Sequence, residues 1–170
     1  MKVEELSFRT LHTRLGDFHL ITCERGLTYA AWAISPELQE FVSAHKSGPT
    51  AQAYADAAER QLTDYLSGDL QEFSLPLVVE GTSFQRAVWD ALCQIPYGET
   101  WSYRDVATHI GKPLAVRAVG QANRANGIAV VIPCHRVIGS SGALVGYAGS
   151  ATDIKEQLLN IERPSAIVNG

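Results

Sequence analysis

The strongest constraint on this chain is a change of pattern near Glu80. Before it, short runs rich in β-branched and aromatic residues are broken by glycine at close spacing. Leu6 to His12 partly alternates, Gly16 supplies a turn, Phe18 to Cys23 forms a second run, Gly26 turns again, and Leu27 to Ile34 follows. That spacing predicts an antiparallel meander. Ala51 to Ser67 then changes to helical periodicity, with Tyr54, Ala58, Leu62, Tyr65 and Leu66 near one face and Gly68 as the stop. Leu75 to Val79 reads as one more strand or an extended linker, and Pro76 excludes the interior of a sheet.

Past Gly81 the elements become short capped helices. Ser83 is a cap for a helix whose face is Phe84, Val88, Ala91, Leu92 and Ile95, and Pro96-Tyr97-Gly98 ends it. Ser102 starts a second helix, with Asp105 as an acidic version of the capping box. Gly111 closes that helix, and Pro113 suits the first turn of a third, running to about Arg124. Two short helices around a tight Gly-containing turn have the outline of a helix-turn-helix. The apolar run Ile128 to Ile132 predicts a buried strand ending in Pro133-Cys134-His135-Arg136, a Gly/Ser loop follows at Gly139–Gly142, and a last helix spans Thr152 to Glu162. The expected fold is therefore α+β in two parts. Residues 1–80 form an antiparallel β-meander with a helix, as structural support. Residues 81–170 form a mostly helical, winged-helix-like domain carrying the helix-turn-helix.

Composition narrows the function classes. With 170 residues, 46% hydrophobic and 19% charged, the chain reads as soluble and globular. No stretch approaches the roughly 20 apolar residues of a membrane span, and MKVEELSFRT lacks the basic-then-apolar order of a secretion signal. Three widely spaced cysteines argue for a reducing compartment, so the expected location is cytoplasmic. The net charge of −4 hides a segregation. Residues 1–80 hold six Lys/Arg against twelve Asp/Glu, net −6, and residues 81–170 hold eight against six, net +2. Within 100–140 five cations face Asp105. Such asymmetry fits a surface facing a polyanion, and it equally fits a solvated basic face.

Cys134-His135 is the sharpest chemical feature. A thiol attacks as thiolate, which a neighbouring base or cation promotes, and His135 and Arg136 supply both. Adjacent residues of a strand point to opposite faces, so a working pair requires the backbone to leave strand geometry at Pro133, or a bridging water. The competing reading is a small buried cysteine ending a core strand, and Cys23 and Cys93 keep that reading. The cysteines and five histidines show no CxxC, no HxxxH and no finger spacing, so no metal is expected. The helix from Pro113 is an unusual groove reader. Ala115, Ala118, Gly120 and Ala122 leave its surface small, which core packing also explains, but Arg117 projects from among them.

Taken together, Pro133-Cys134-His135-Arg136-Val137, Ser102-Tyr103, Arg117-Ala118-Val119-Gly120, Asn126 and Gly146-Tyr147-Ala148-Gly149 resemble the O6-alkylguanine-DNA alkyltransferases, the methylated-DNA–protein-cysteine methyltransferases of direct DNA repair. The resemblance is densest from Phe84 to Glu162, with Leu15-Gly16 and the meander as its looser N-terminal part. It implies a suicide reaction without a cofactor, in which an alkyl group passes from O6 of guanine, or possibly O4 of thymine, to Cys134. His135 is then the base through a water, Glu162 orients it, Asn126 braces the turn, and Tyr103 protonates or polarises the departing guanine. Backbone groups around Val137, Tyr147 and Ala148 hold the flipped base. The implied partner is double-stranded DNA, approached from the minor groove by a monomer. Arg117 fills the gap in the stack, Ala115 and Ala118 lie against the groove wall, and Gln85, Arg104, Lys112 and Ser140 contact phosphates. Base extrusion costs a few kcal/mol, and lesion recognition needs no sequence reading. Gly127, Ser150 and Gln157 depart from the common family pattern at the turn, the pocket lip and the last helix. The alternatives are a non-catalytic lesion binder, against which Cys134 itself argues, and a thiol hydrolase using Cys134, His135 and Glu162. A transcription regulator would need more base-reading side chains than this helix offers.

Overall fold

The structure is a computed structural model that describes residues 4–139 and 152–163. The chain divides into two compact units, Met1–Val79 and Glu80–Gly170. The first holds an antiparallel meander, β1 (Leu6–Thr13), β2 (Gly16–Cys23) and β3 (Gly26–Ala31), in that spatial order. Both hairpins close through two residues, between the pairs Thr13↔Gly16 and Cys23↔Gly26. Gly26 sits at φ +142, and a Cβ there would stand 2.2 Å from the Pro76 carbonyl oxygen. That close approach serves a bridge: Leu27 N donates to Pro76 O (2.9 Å) and Val78 N donates to Leu27 O (2.8 Å). Pro76 takes part only as an acceptor, so its missing N–H costs nothing.

Helix α1 (Pro36–Ser43) falls where the sequence reading proposed no element. Its start signals are nonetheless present, with the Ser35 side chain accepting from Leu38 N and proline in the first turn. Only Val42 is buried, so the apolar stripe was too thin to mark it. Helix α2 (Pro49–Leu66) buries Ala51, Ala55, Ala58, Leu62 and Tyr65, while Tyr54 and Leu66 are half-buried. The alanines let this helix lie close against the meander, where Phe18, Leu20 and Leu27 complete the core.

The second unit strings together α3 (Ser83–Leu92), β4 (Trp101–Ser102), α4 (Tyr103–His109), α5 (Val116–Arg124), a 3-10 turn (Cys134–Arg136), β5 (Val137–Ile138) and α6 (Thr152–Glu162). β4 and β5 form a short parallel pair, Trp101↔Val137 and Ser102↔Ile138. Three expectations are corrected here. The cap of α3 is Thr82, not Ser83, in a box with Gln85. Helix α5 begins at Val116, not Pro113: Gly111 (φ +77) and Lys112 donate back to Thr108 O and Ala107 O to end α4, and Ala115 N then bonds Lys112 O in a separate turn. Ile128–Ile132 is buried but coils instead of extending. Ile132 N bonds Ile128 O (3.0 Å), Val131 N bonds Ala129 O (2.9 Å), and Val130 takes φ +73. A β-branched residue in that region is strained, and the surrounding bonds hold it there.

Candidate active site

Pro133, at φ −81 and ψ 64, takes the chain out of extended geometry just before Cys134. Cys134 and His135 consequently lie on a tight turn, and both are buried. The turn is fixed by Cys134 N on Ile132 O (2.8 Å) and Arg136 N on Pro133 O (3.0 Å). The end of α5 reaches the same place. Asn126 Nδ2 donates to Cys134 Sγ (3.1 Å) and to Ile132 O (2.9 Å), while its Oδ1 accepts from Ile128 N (3.0 Å). One amide thus shapes the 128–132 turn and offers a donor to the sulfur, which favours the thiolate. Asn123, one turn earlier and buried, directs Nδ2 at the Cys134 carbonyl (3.4 Å), and Trp89 Nε1 ties α3 to Ala122 O (2.8 Å).

On the other side stands the end of α6. His135 Nε2 lies 2.6 Å from Glu162 Oε2, with both side chains fully enclosed. Glu162 also receives Arg136 Nε (2.9 Å), Arg136 Nη2 (3.3 Å) and Gly98 N (3.3 Å). Arg136 Nη1 donates to Ile95 O (2.7 Å), and the guanidinium packs on the Tyr97 ring. Burial would raise the Glu162 carboxyl, but its bonds to His135 and Arg136 override that and hold it below the usual carboxylate range. Burial pushes the His135 ring down, against the pull of Glu162. The resting state is therefore an ionised carboxylate beside a neutral imidazole. With Nε2–H directed at Glu162, Nδ1 is the basic nitrogen.

Two more groups face this centre. Lys155, fully buried on α6, donates from Nζ to the Val137 carbonyl. Burial lowers its ammonium to about 8, opposed by the charge of Cys134. Tyr103, at the start of α4, lies near Gly120 of α5, whose Cβ position is 3.9 Å from the ring. Burial raises its hydroxyl, Arg124 opposes this, and Cys134 adds to it, so the phenol keeps its proton at neutral pH.

Asn126–Cys134 and His135–Glu162 are thus two hydrogen-bonded pairs, brought together because Cys134 and His135 are consecutive on one turn. On the helix-turn-helix, Arg117 and Arg104 are exposed, and Ala115 and Ala118 are half-buried. Lys112 holds its ammonium 5.4 Å from the Phe84 ring centroid. The Gln85 side chain is engaged in its own cap, accepting from Thr82 N (3.0 Å). Val137 is buried in β5, while Ser140, Tyr147 and Ala148, with Gly149 and Ser150, lie outside the described residues. Asn123 and Lys155 were missed as site residues, and Arg136 was named only as a cation that promotes the thiolate, not as the partner of Glu162. For Lys155 a signal existed: 155, 158, 159 and 162 make up the buried stripe of α6, so a cation heads it and an anion ends it. Among the described residues no group of three His, Cys, Asp or Glu could hold a metal ion, and no helix is long and apolar enough to cross a membrane.

Known families match both units of the chain. Residues 83–164 match the 6-O-methylguanine DNA methyltransferase DNA binding domain, and residues 6–79 match the ribonuclease-like domain of the same proteins. The constitutive methylated-DNA–protein-cysteine methyltransferase of Bacillus subtilis is 58% identical over 108 residues, covering 64% of this chain and 66% of that protein. The Methanosarcina barkeri methylated-DNA–protein-cysteine methyltransferase is 62% identical over 62% of this chain and 66% of its own length. The inducible Bacillus subtilis protein is 41% identical over 86% of this chain and 84% of its own. The crystal structure of Mycobacterium tuberculosis OGT in complex with DNA superposes with a TM-score of 0.81 at 40% identity, covering 92% of each chain.

Proposed function

The chain belongs to the 6-O-methylguanine DNA methyltransferase family, and from that premise we propose that it repairs DNA by moving an alkyl group from O6 of guanine onto Cys134, once per molecule. Cys134 Sγ forms a bond to the alkyl carbon as the carbon–O6 bond breaks, and the electron pair leaves on the guanine oxygen. The thiol proton passes to His135 Nδ1 through one bridging water, and the Tyr103 hydroxyl donates to the departing guanine. A thiolate is the soft nucleophile that an alkyl carbon requires. The reaction ends there because a thioether is not a leaving group.

The observation that carries this reading is the chain of contacts Asn126–Cys134 and His135–Glu162: a donor on the sulfur, and a neutral imidazole backed by a carboxylate. The target atom lies inside a stacked duplex, so the base is extruded. The protein enters the minor groove, Arg117 fills the vacated stack, and Ala115 and Ala118 allow close approach. Arg104, Lys112, Gln85 and Ser140 contact phosphates, and Val137, Tyr147 and Ala148 line the base pocket. The DNA is double-stranded and carries O6-alkylguanine. The protein works as a cytoplasmic monomer in which residues 1–80 support residues 81–170.

The test is single-turnover transfer from a duplex carrying labelled O6-methylguanine. The wild type takes up the label, and Cys134→Ser takes up none while keeping its affinity for the duplex. Binding in both weakens as salt is added, because phosphate contacts release counterions. Label on the Cys134→Ser protein, or affinity indifferent to salt, overturns the reading.

A further inference from the structure

Arg136 stands two residues after the nucleophile, and the chemistry above gives it no part. Its buried guanidinium spans both oxygens of Glu162 through Nε and Nη2 and spends Nη1 on Ile95 O. Such a fork fixes a carboxylate in plane and in charge, which a single ammonium cannot do. Resting on the transfer reading, we propose that Arg136 is a positioning residue: its fork holds Glu162 in place and balances its charge, so that His135 stays uncharged and free to accept the proton of Cys134.

The charges around His135 carry the argument. From α6 it faces Glu162, which favours a protonated ring, and Lys155, which opposes it. From its own turn it faces Arg136, which also opposes it, and Cys134 is its covalent neighbour. The segment between α3 and β4 adds Gly98 N on Glu162, Ile95 O on Arg136 and the Tyr97 phenol against the guanidinium, which burial keeps protonated and so neutral. With the guanidinium gone, a buried carboxylate would have the imidazole as its nearest source of positive charge. A buried charge without a partner is costly, so the ring would take a proton from water. A ring already protonated cannot accept the thiol proton.

The experiment is the pH profile of single-turnover transfer from the O6-methylguanine duplex, beside an NMR titration of labelled histidine. It compares wild type, Arg136→Lys, Arg136→Gln and the double variant Arg136→Gln/Glu162→Gln. In Arg136→Gln the acid limb and the His135 titration both move up by a pH unit or more. Transfer at pH 7 then falls severalfold and recovers on the alkaline side of the shifted limb. Arg136→Lys keeps the limb within a few tenths of a unit at lower overall rate, and in the double variant it does not rise. In Arg136→Gln, a loss of rate by one factor at every pH, with the limb left in place, overturns the proposal. If Arg136→Gln does not fold, the double variant decides, since an upward shift with both charges absent contradicts the account. Failure of the wild type to transfer at any pH would instead refute the reading on which the proposal rests.

Discussion

The two units bury different things. Among the described residues, the polar side chains buried in Met1–Val79 are Ser7 and Thr22, and Thr22 is satisfied by the Ala51 carbonyl. In Glu80–Gly170 they are Asn123, His135, Arg136, Lys155 and Glu162, four of them ionisable. The first unit is held by a backbone ladder and an apolar core, which ask of its side chains only shape. The second spends interior space on charge, which costs stability unless every partner is in place. Enclosing the imidazole, carboxylate and guanidinium keeps water from competing for their hydrogen bonds, so their charge states are set by one another.

That contrast can be broken most sharply at Glu162. Replacing it with glutamine leaves the buried Arg136 guanidinium uncompensated, and equilibrium urea unfolding should register a loss of about 3–5 kcal/mol together with slow transfer. The pH dependence follows from the same groups. His135 resists protonation in the fold while an unfolded histidine titrates near 6.5, so the unfolded chain binds more protons and stability declines as pH falls below that value. Glu162, held below its ordinary 4.5, gives stability that is present above pH 4.5 and lost as pH falls through its folded value. A stability profile flat from pH 7 to pH 3 would contradict both.

Gly26→Ala probes the other unit. Its Cβ would collide with the Pro76 carbonyl at a left-handed φ, so unfolding should become easier by more than about 2 kcal/mol. The transfer rate per folded molecule should stay the same, and a rate that fell with it would erase the division of roles. The smallest effect belongs to Gly127. Its backbone is outside the left-handed region and a Cβ would meet nothing within 4 Å, so Gly127→Ala should be stabilising by about 0.4–1 kcal/mol with transfer unchanged.

Legibility in the sequence followed the same division. The meander could be read because Gly16 and Gly26 mark two-residue turns between β-rich runs, and tertiary context did not override them. The Ile128–Ile132 run could not, because apolar composition records burial and is silent on path. The path is set by the Asn126 amide, which replaces a sheet partner for Ile128 N and Ile132 O. The start of α5 was displaced because Gly111 and Lys112 are used to finish α4, leaving Pro113 in a connecting turn. Cys134 and His135 stood out as a thiol beside a base, and Asn126 and Glu162 were identified through the family resemblance. Arg136 was in view within that motif, yet its role depends on a carboxylate 26 residues away, which spacing does not encode. Lys155 could have been found from the α6 stripe, where a charge stands at a core position.

The most direct measurement is intact mass before and after incubation with a duplex carrying one O6-methylguanine, followed by peptide mapping. The account predicts a gain of about 14 Da, one methylene, at a stoichiometry near one per molecule and located on Cys134. An unchanged mass despite tight lesion binding, or a methyl group on any other residue, would contradict it.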